Sequence, residues 1–358
     1  MDSLAALNRL GQSIWLDNLS RDLLESGRLA QLIGLGVSGL TSNPTIFAKA
    51  IAGNARYAAD LARARGLETS AQRRLEEIIL PDIRAACDLF LPVFQRSGGN
   101  DGYVSLEVPP ALADDAAATV HEAQRLAGLV ARPNLLIKVP GTAAGIQSFE
   151  TLTARGINVN VTLLFSVRQV VRTFEAYIRG LKARLAQGLP LGAGKAVASL
   201  FLSRTDTLAD RWLETQGSPA ALGLRGQLSL ATAKLAYERY RELFHGDAFR
   251  DLRNAGARPQ HLLWASTGTK NPNYSDLHYV APLVGAETIN TLPDATLAAL
   301  LDHGDPQATL GLAHDAARQA WLEAEKLGLL PDTVGETLQQ EGLASFRDSY
   351  QQLLGLVA

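Results

Sequence analysis

The chain has 358 residues, of which 47% are hydrophobic and 20% charged, and its formal net charge is −2. This length fits one α/β barrel with insertions or two ordinary domains, and the charge balance gives no basic surface for nucleic acid or anionic membranes. No run of 18 apolar residues and no signal-like N-terminus occurs, and the single cysteine, Cys87, lacks a partner for an internal disulfide. The six histidines are scattered. We therefore expect a soluble, cytoplasmic protein without a metal site.

Short apolar segments alternate with helical stretches along the chain, a pattern typical of βα units around a parallel sheet. We predict eight strands, at residues 13–18, 36–43, 103–108, 134–141, 157–163, 196–203, 261–266 and 287–290. Long helical segments follow the second and sixth strands, and a helical tail begins at residue 293. The pattern predicts an α/β fold: one (β/α)8 TIM barrel domain, residues 1–358, with helical insertions and a helical C-terminal tail.

The fourth predicted strand is a run of large aliphatic residues that contains one lysine, Lys138. Desolvating an ammonium group costs several kcal/mol or lowers its pKa, so lysine is rarely buried. Lys138 therefore either extends past the strand end into solvent or lies in a dry pocket, where its amine could form a Schiff base with a carbonyl substrate.

Polar residues stand at the end of every predicted strand, where a purely structural barrel interior would carry Val, Ile and Leu. Barrel enzymes place their active sites at these C-terminal strand ends. The convergence of these side chains predicts an active site, built from Asp17, Asn43, Glu107, Lys138, Asn160, Thr162, Ser199, Arg204, Ser266 and Asn290.

The residue types suggest imine chemistry on a ketose. Lys138 would attack the carbonyl, and Asp17 is the candidate general base for the hydroxyl that loses its proton as a carbon–carbon bond breaks. Glu107 and Thr162 could hold and activate the water that leaves or enters during imine formation.

Other polar residues are suited to substrate binding. Asn43 and Asn160 could bind sugar hydroxyl groups. Arg204, Ser266 and Lys270 are candidates for a phosphate group, Arg through its bidentate fork and Lys as a point charge.

Structural interpretations remain open for several of these residues. Asn43 stands before Pro44, a pattern that is equally typical of a helix N-cap. Asp17 could instead cap the helical segment that follows it. Arg204 could pair with Asp206 on the surface, a contact worth little.

The segment 192–195 (GAGK) is similar to a phosphate-binding loop, but its spacing does not match and no Ser or Thr follows Lys195. We predict a turn there, before the sixth strand. Cys87 lies in a helical stretch with apolar neighbours, and we expect it to fill part of the core.

Several segments resemble the transaldolase family: residues 39–44 (GLTSNP), 136–140 (LIKVP), 158–166 (NVNVTLLFS) and 265–272 (ASTGTKNP). The last of these, together with residues 287–293 (ETINTLP), is similar to the longer bacterial form. The resemblance implies a (β/α)8 transferase of the non-oxidative pentose phosphate pathway that works through a lysine Schiff base, with no metal or other cofactor. Such enzymes move a dihydroxyacetone unit from sedoheptulose 7-phosphate to glyceraldehyde 3-phosphate, giving erythrose 4-phosphate and fructose 6-phosphate.

By position in these motifs, Lys138 matches the Schiff-base lysine and Asp17 the acid/base, while Glu107 and Thr162 match the water-handling pair. The family's substrate positions fall on Asn43, Asn160, Ser199, Arg204 and Ser266. The chain departs from shorter members after Ser266, where they have an arginine, so that Lys270 becomes the second phosphate candidate.

Two other functions stay open. A lysine-dependent aldolase would cleave fructose 6-phosphate and release dihydroxyacetone without transferring it. A barrel that only binds sugar phosphates would need no buried lysine beside carboxylates. We expect sugar phosphates as partners, with neither nucleic acid nor membrane, and the sequence leaves open whether the chain forms a homodimer.

Overall fold

The computed structural model describes residues 3–358, in which eight parallel strands form a closed barrel in sequence order. The barrel closes because β8 pairs in parallel with β1 along the whole length of both strands. The predicted (β/α)8 fold is therefore confirmed. The strands are β1 (Gln12–Leu16), β2 (Gly39–Thr41), β3 (Val104–Glu107), β4 (Leu135–Pro140), β5 (Val159–Leu164), β6 (Ala196–Phe201), β7 (His261–Ala265) and β8 (Thr288–Leu292).

Helices surround the barrel and fill the two long connections that the sequence predicts. Helices α4 to α6 lie between β2 and β3, and α10 to α13 lie between β6 and β7. The helices are α1 (Ser3–Arg9), α2 (Arg21–Glu25), α3 (Arg28–Leu35), α4 (Pro44–Ile51), α5 (Ala58–Arg65), α6 (Ala71–Arg96), α7 (Ala116–Val130), α8 (Ala143–Ala154), α9 (Val167–Ala186), α10 (Ser203–Gln216), α11 (Pro219–Gly223), α12 (Leu228–His245), α13 (Arg250–Asn254), α14 (Asp294–His303), α15 (His314–Lys326) and α16 (Pro331–Leu356).

Local sequence signals explain several helix starts. Ser166 and Gln169 have the capping-box spacing and form that motif at the start of α9. The sequence favours a helix start near Pro110, but Pro110–Leu112 forms a 3-10 turn, and Asp115 caps α7 by accepting a hydrogen bond from the Ala118 N–H. Asp115 is the better start because its carboxylate satisfies a free N–H of the first turn.

Alternation along the strands separates an apolar outer layer from a polar interior. On β3, Val104 and Leu106 join the apolar cluster under the helices, while Ser105 and Glu107 face inward as predicted. Trp15 fills part of the interior, and a Cβ on Gly39 would lie 2.4 Å from its ring, so glycine is what lets β2 pass this indole. Cys87 of α6 is fully buried in the outer layer, which confirms its expected place in the core.

Among residues 3–358, no helix is both long enough and apolar enough to cross a membrane. Within the same residues, no cluster of three or more His, Cys, Asp or Glu side chains is placed to hold a metal ion.

Candidate active site

Lys138 lies inside the barrel, near the C-terminal end of β4, and is only 4% exposed. Its Nζ donates a hydrogen bond to the Ser42 carbonyl oxygen at 3.1 Å and lies 3.4 Å from Oε2 of Glu107. Strand register explains this contact, because Glu107 and Lys138 are paired residues on β3 and β4. Of the two interpretations left open, the dry pocket is correct and the extension into solvent is wrong.

Glu107 is almost as buried as Lys138, and this burial governs its protonation. Desolvation raises the pKa of Glu107, while the positive charge of Lys138 acts in the opposite direction. The amine of Lys138, at 3.4 Å, is the polar group that approaches Oε2 of Glu107. A buried carboxylate with a raised pKa beside an amine is suited to proton transfer.

Asp17 follows β1 and lies on the same side of the barrel. Its backbone N–H donates to the Leu292 carbonyl of β8, and its Oδ1 accepts a bond from the Thr41 hydroxyl at 2.6 Å. Burial raises the pKa of Asp17, against the hydrogen bond from Thr41 and the charge of Lys138. The capping interpretation is wrong, since the hydroxyl of Ser20, and not Asp17, caps α2.

Asn43 is the N-cap of α4, as one interpretation predicted: its Oδ1 accepts from the Ile46 N–H at 2.9 Å. The cap uses only the oxygen, so the amide N–H groups remain available on the cavity side, where Asn43 is part of the lining. Cap and ligand are therefore compatible roles.

Polar groups of β5 and β6 form a layer beneath the cavity. Ser199 donates to Oδ1 of Asn160 at 2.6 Å, and the Asn160 amide donates to Ser105 at 3.2 Å. Asn160 is fully buried and positions Ser199, which lines the cavity. The hydroxyl of Thr162 is buried without a hydrogen-bond partner among residues 3–358 and also faces this cavity.

Arg204 lies in the first turn of α10 with its guanidinium 5.6 Å from the Phe201 ring and 6.0 Å from that of Phe346. Burial lowers the pKa of Arg204, whereas the negative charge of Asp17 acts in the opposite direction. The interpretation of Arg204 as a surface ion-pair partner of Asp206 is wrong. Asp206 is buried and accepts hydrogen bonds from Ser229 and other groups. The guanidinium makes no ion pair within residues 3–358, which leaves it available for an anion.

Ser266 and Lys270 complete the basic side of the cavity. Ser266 has a left-handed backbone (φ +54°), and its hydroxyl lies 2.8 Å from that of Ser203. Lys270 is exposed at the rim.

These side chains meet in a cavity of about 650 Å³ at the C-terminal ends of the strands. Eight of the eleven predicted site residues line it, and two more, Glu107 and Asn160, contact lining residues from below. The lining residues are Asp17, Asn43, Lys138, Thr162, Ser199, Arg204, Ser266 and Lys270.

Asn290 is the one strand-end residue that the structure places elsewhere. Its amide donates to the Tyr279 carbonyl, outside the cavity, and the next residue, Thr291, lines the cavity instead. The eighth strand ends at Leu292 and not at residue 290, so its inward-facing positions differ from those predicted. The Thr291 hydroxyl lies 2.7 Å from that of Thr41, the residue that holds Asp17.

The C-terminal helix also contributes to the cavity, which the sequence did not predict. Ser345 and Phe346 of α16 line the cavity, and Gln339 ties the helix to the barrel by donating to the carbonyls of Gly141 and Leu163. No local pattern could have indicated these contacts, because they join residues far apart in the chain.

A buried lysine next to a buried carboxylate at the mouth of a (β/α)8 barrel is the arrangement of an enzyme that forms imines with carbonyl substrates. The chain belongs to the transaldolase/fructose-6-phosphate aldolase family, whose model matches residues 14–357.

Similar proteins include a transaldolase from Thiobacillus denitrificans, 58% identical over 352 residues that cover 98% of each chain. A transaldolase from Neisseria gonorrhoeae is 46% identical over 354 residues, 99% of each chain. Transaldolase 1 of Streptomyces coelicolor is 45% identical over 357 residues, 98% of this chain and 94% of its own.

Proposed function

We propose that this chain, acting as one barrel domain, is a transaldolase that moves a dihydroxyacetone unit from sedoheptulose 7-phosphate to glyceraldehyde 3-phosphate through a Schiff base on Lys138. The observation that carries the proposal is the dry amine of Lys138, 3.4 Å from Glu107 at the floor of the mouth cavity. The similarity to transaldolases over nearly the full length supports the same reaction.

In the first step, the nitrogen of Lys138 adds to the C2 carbonyl of the ketose, and a proton of the amine passes to the carbonyl oxygen to give a carbinolamine. The carbinolamine then loses its hydroxyl as water, which requires a proton donor near the nitrogen. Glu107 lies within reach of that nitrogen, and its raised pKa favours a carboxyl group that can give and recover a proton. The hydroxyl of Thr162, which has no partner among residues 3–358, is available to hold the water.

In the second step, the bond between C3 and C4 breaks. Its electron pair moves into the protonated imine to give an enamine on Lys138, and the C4 hydroxyl loses its proton as the aldose phosphate forms. Asp17 is the proposed base because burial raises its pKa and the hydrogen bond from Thr41 fixes its orientation.

In the third step, the enamine attacks the aldehyde carbon of the acceptor, and Asp17 returns its proton to the new hydroxyl. Water then hydrolyses the imine and frees the product and the Lys138 amine. The phosphate of either sugar is assigned to Arg204, Ser266 and Lys270, which line one side of the cavity. Hydroxyl groups are assigned to Asn43 and to Ser199, with Asn160 holding the latter.

The second candidate is an aldolase that releases dihydroxyacetone, because the family description covers fructose-6-phosphate aldolases as well. Release requires that a proton reach the enamine carbon before the acceptor does. The two outcomes are separated by incubating the enzyme with fructose 6-phosphate, with and without erythrose 4-phosphate. A transaldolase forms sedoheptulose 7-phosphate only with the acceptor, whereas an aldolase forms dihydroxyacetone in both samples.

The Lys138 assignment is tested by borohydride reduction in the presence of fructose 6-phosphate, followed by peptide mapping. We expect the adduct on the peptide that contains Lys138, and we expect Lys138→Ala to remove both adduct and turnover. Lys49 and Lys270 line the same cavity and serve as internal controls. An adduct on Lys49, Lys195 or Lys270 would overturn the assignment.

A further inference from the structure

A second cavity, of about 640 Å³, lies at the opposite end of the barrel. Its lining includes residues that precede strands, such as Tyr103 before β3 and Lys195 before β6, and it shares no lining residue with the mouth cavity. The volume lies within the range of small-molecule sites, roughly 300–1,000 Å³. Barrel enzymes carry their chemistry at the other end, so this cavity has no part in the proposed reaction.

The charged side chains that line this cavity are all basic: Arg132, Lys195 and Arg258. Arg132 is neutralised by Asp88, through contacts of 2.5 and 3.0 Å. Arg258 donates to the carbonyl of Gly98 at 2.8 Å and forms no ion pair within residues 3–358. Two cations in this lining, Lys195 and Arg258, thus lack a carboxylate partner.

Lys195 is only 5% exposed, and its neighbours do not compensate its charge. Its Nζ lies 3.1 Å from Oδ1 of Asn100 and 3.1 Å from Nδ1 of His261. Burial lowers the pKa of His261 well below its usual value, so the ring is neutral and accepts from the lysine. Asp101 and Glu287 attract Lys195, whereas Arg258 repels it. The oxygens of Asp101 already accept hydrogen bonds from Ser13 and Trp15, and Glu287 is bonded to Tyr240 and His245. The ammonium form of Lys195 is therefore costly unless an anion approaches.

The segment Gly192-Ala193-Gly194 leads into Lys195 and lines the same cavity. It forms the turn predicted before β6. The backbone N–H groups of Gly192 and Gly194 donate no hydrogen bond within residues 3–358. Gly194 has φ +90°, and a Cβ there would lie 3.3 Å from the Cα of Gly156. Free backbone N–H groups next to a lysine are a recurrent feature of phosphate-binding sites.

We propose that the cavity at the base of the barrel binds a small phosphate-bearing anion through Lys195, Arg258 and the backbone of residues 192–194. An anion there gives Lys195 the counter-charge that its protein neighbours do not supply. The walls formed by Leu135 and Leu191 accept the apolar part of the bound molecule.

The test is calorimetric titration of inorganic phosphate into the full-length Arg204→Ala/Lys270→Ala variant, which lacks the two basic phosphate ligands proposed at the mouth. This background keeps the result independent of the proposed transaldolase reaction. We expect one saturable event per chain, at least tenfold weaker when Arg258→Met is added. The matched control is Arg179→Met, which removes an exposed arginine paired with Glu150 and should change nothing.

Proton uptake provides a second readout. Burial lowers the pKa of Lys195 to about 7, so at pH 8 most of the chains carry a neutral amine. A bound phosphate favours the ammonium form, and titrations in two buffers of different ionisation enthalpy should show net proton uptake. Lys195→Met should abolish that uptake. No saturable binding, or equal binding and uptake with and without both basic side chains, would overturn the proposal. Since Arg258 is only partly buried, its variant remains informative if Lys195→Met does not fold.

Discussion

Two lysines of this barrel are almost equally buried, yet their surroundings differ. Lys138 is 4% exposed and Lys195 is 5% exposed. Lys138 lies at the C-terminal end of the strands, with Glu107 at 3.4 Å and an open cavity above it. Lys195 lies at the N-terminal end, where Asn100 and a neutral His261 are its hydrogen-bond partners.

Burial of an amine therefore does not by itself define a catalytic lysine. A Schiff-base enzyme must also donate and accept protons near the nitrogen, and only Lys138 has an ionisable acid in contact with it. The neutral partners at the base of the barrel can hold an amine, but they cannot shuttle its protons near neutral pH. Function here depends on the charged groups around the lysine.

The largest expected effect comes from removing the acid beside Lys138. Glu107→Gln keeps the size of the side chain but cannot exchange a proton, and we expect kcat to fall roughly 10²–10⁴-fold. Because burial raises the pKa of Glu107, the limb of the kcat profile that this group controls should lie at higher pH in the parent than an exposed glutamate would give, and the variant should lose this limb. Steady-state rates measured from pH 4 to 9 would show both effects.

The control for this variant is Glu238→Gln, which removes a surface carboxylate paired with Arg318. It should leave kcat and the pH profile unchanged. A decrease in kcat of less than tenfold for Glu107→Gln would mean that Lys138 needs no acid in contact with it. The acid beside Lys138 would then not explain the functional difference between the two lysines.

The second effect concerns stability at the base of the barrel. The pKa of Lys195 is about 7 in the folded chain, against an ordinary value of 10.5, because of burial. Between these values the unfolded chain binds more protons, so the parent should gain up to about 1.4 kcal/mol of stability per pH unit as the pH rises. Asp101 and Glu287 act against this shift, while Arg258 acts with it.

Lys195→Met should lack that gain. The free energy of unfolding of the variant, compared with that of the parent, should therefore be most favourable at pH 7 and below and should fall behind as the pH rises towards 10. Denaturant unfolding at pH 6, 7, 8 and 9 would measure the difference. Lys182→Met, which removes an exposed lysine of α9, is the matched control and should show no such trend. A pH-independent difference for Lys195→Met would show that Lys195 stays charged in the folded chain.

The smallest effect is expected from giving Lys195 the kind of partner that Lys138 has. Asn100→Asp places a carboxylate at the position now 3.1 Å from the Lys195 amine. The pKa of Lys195 should rise, so that the pH-dependent gain in stability starts at a higher pH. Because residue 100 is exposed, we expect a gain of no more than about 1 kcal/mol at pH 7. Unfolding curves at the same four pH values would detect it, and an unchanged profile would contradict the electrostatic explanation.

Most of the predicted residues that the structure brings to the mouth of the barrel are strand-end positions on an alternating strand. Glu107 and Lys138 could be placed together because parallel strands in a closed barrel end at the same edge and pair in register. The prediction of Asn290 was wrong because β8 ends two residues later than expected, so that Thr291 and not Asn290 faces the cavity.

Contacts between distant parts of the chain could not be predicted. Phe346 reaches the mouth cavity because α16 packs against the barrel, where Gln339 donates to the carbonyls of Gly141 and Leu163. Asp206 follows Arg204 closely in the chain but bonds to Ser229 instead. Neither arrangement has a local signature, since each depends on how helices pack against the barrel.

The sequence by itself determined the barrel, its polar mouth and the lysine at its centre, because strand alternation, helix caps and turn residues act over a few neighbouring positions. Only the tertiary structure decided which buried lysine has an acid beside it and which has neutral partners. The local sequence pattern shows that a lysine lies on a buried strand. The chemistry of that lysine depends on charged groups from distant segments, which only folding brings together.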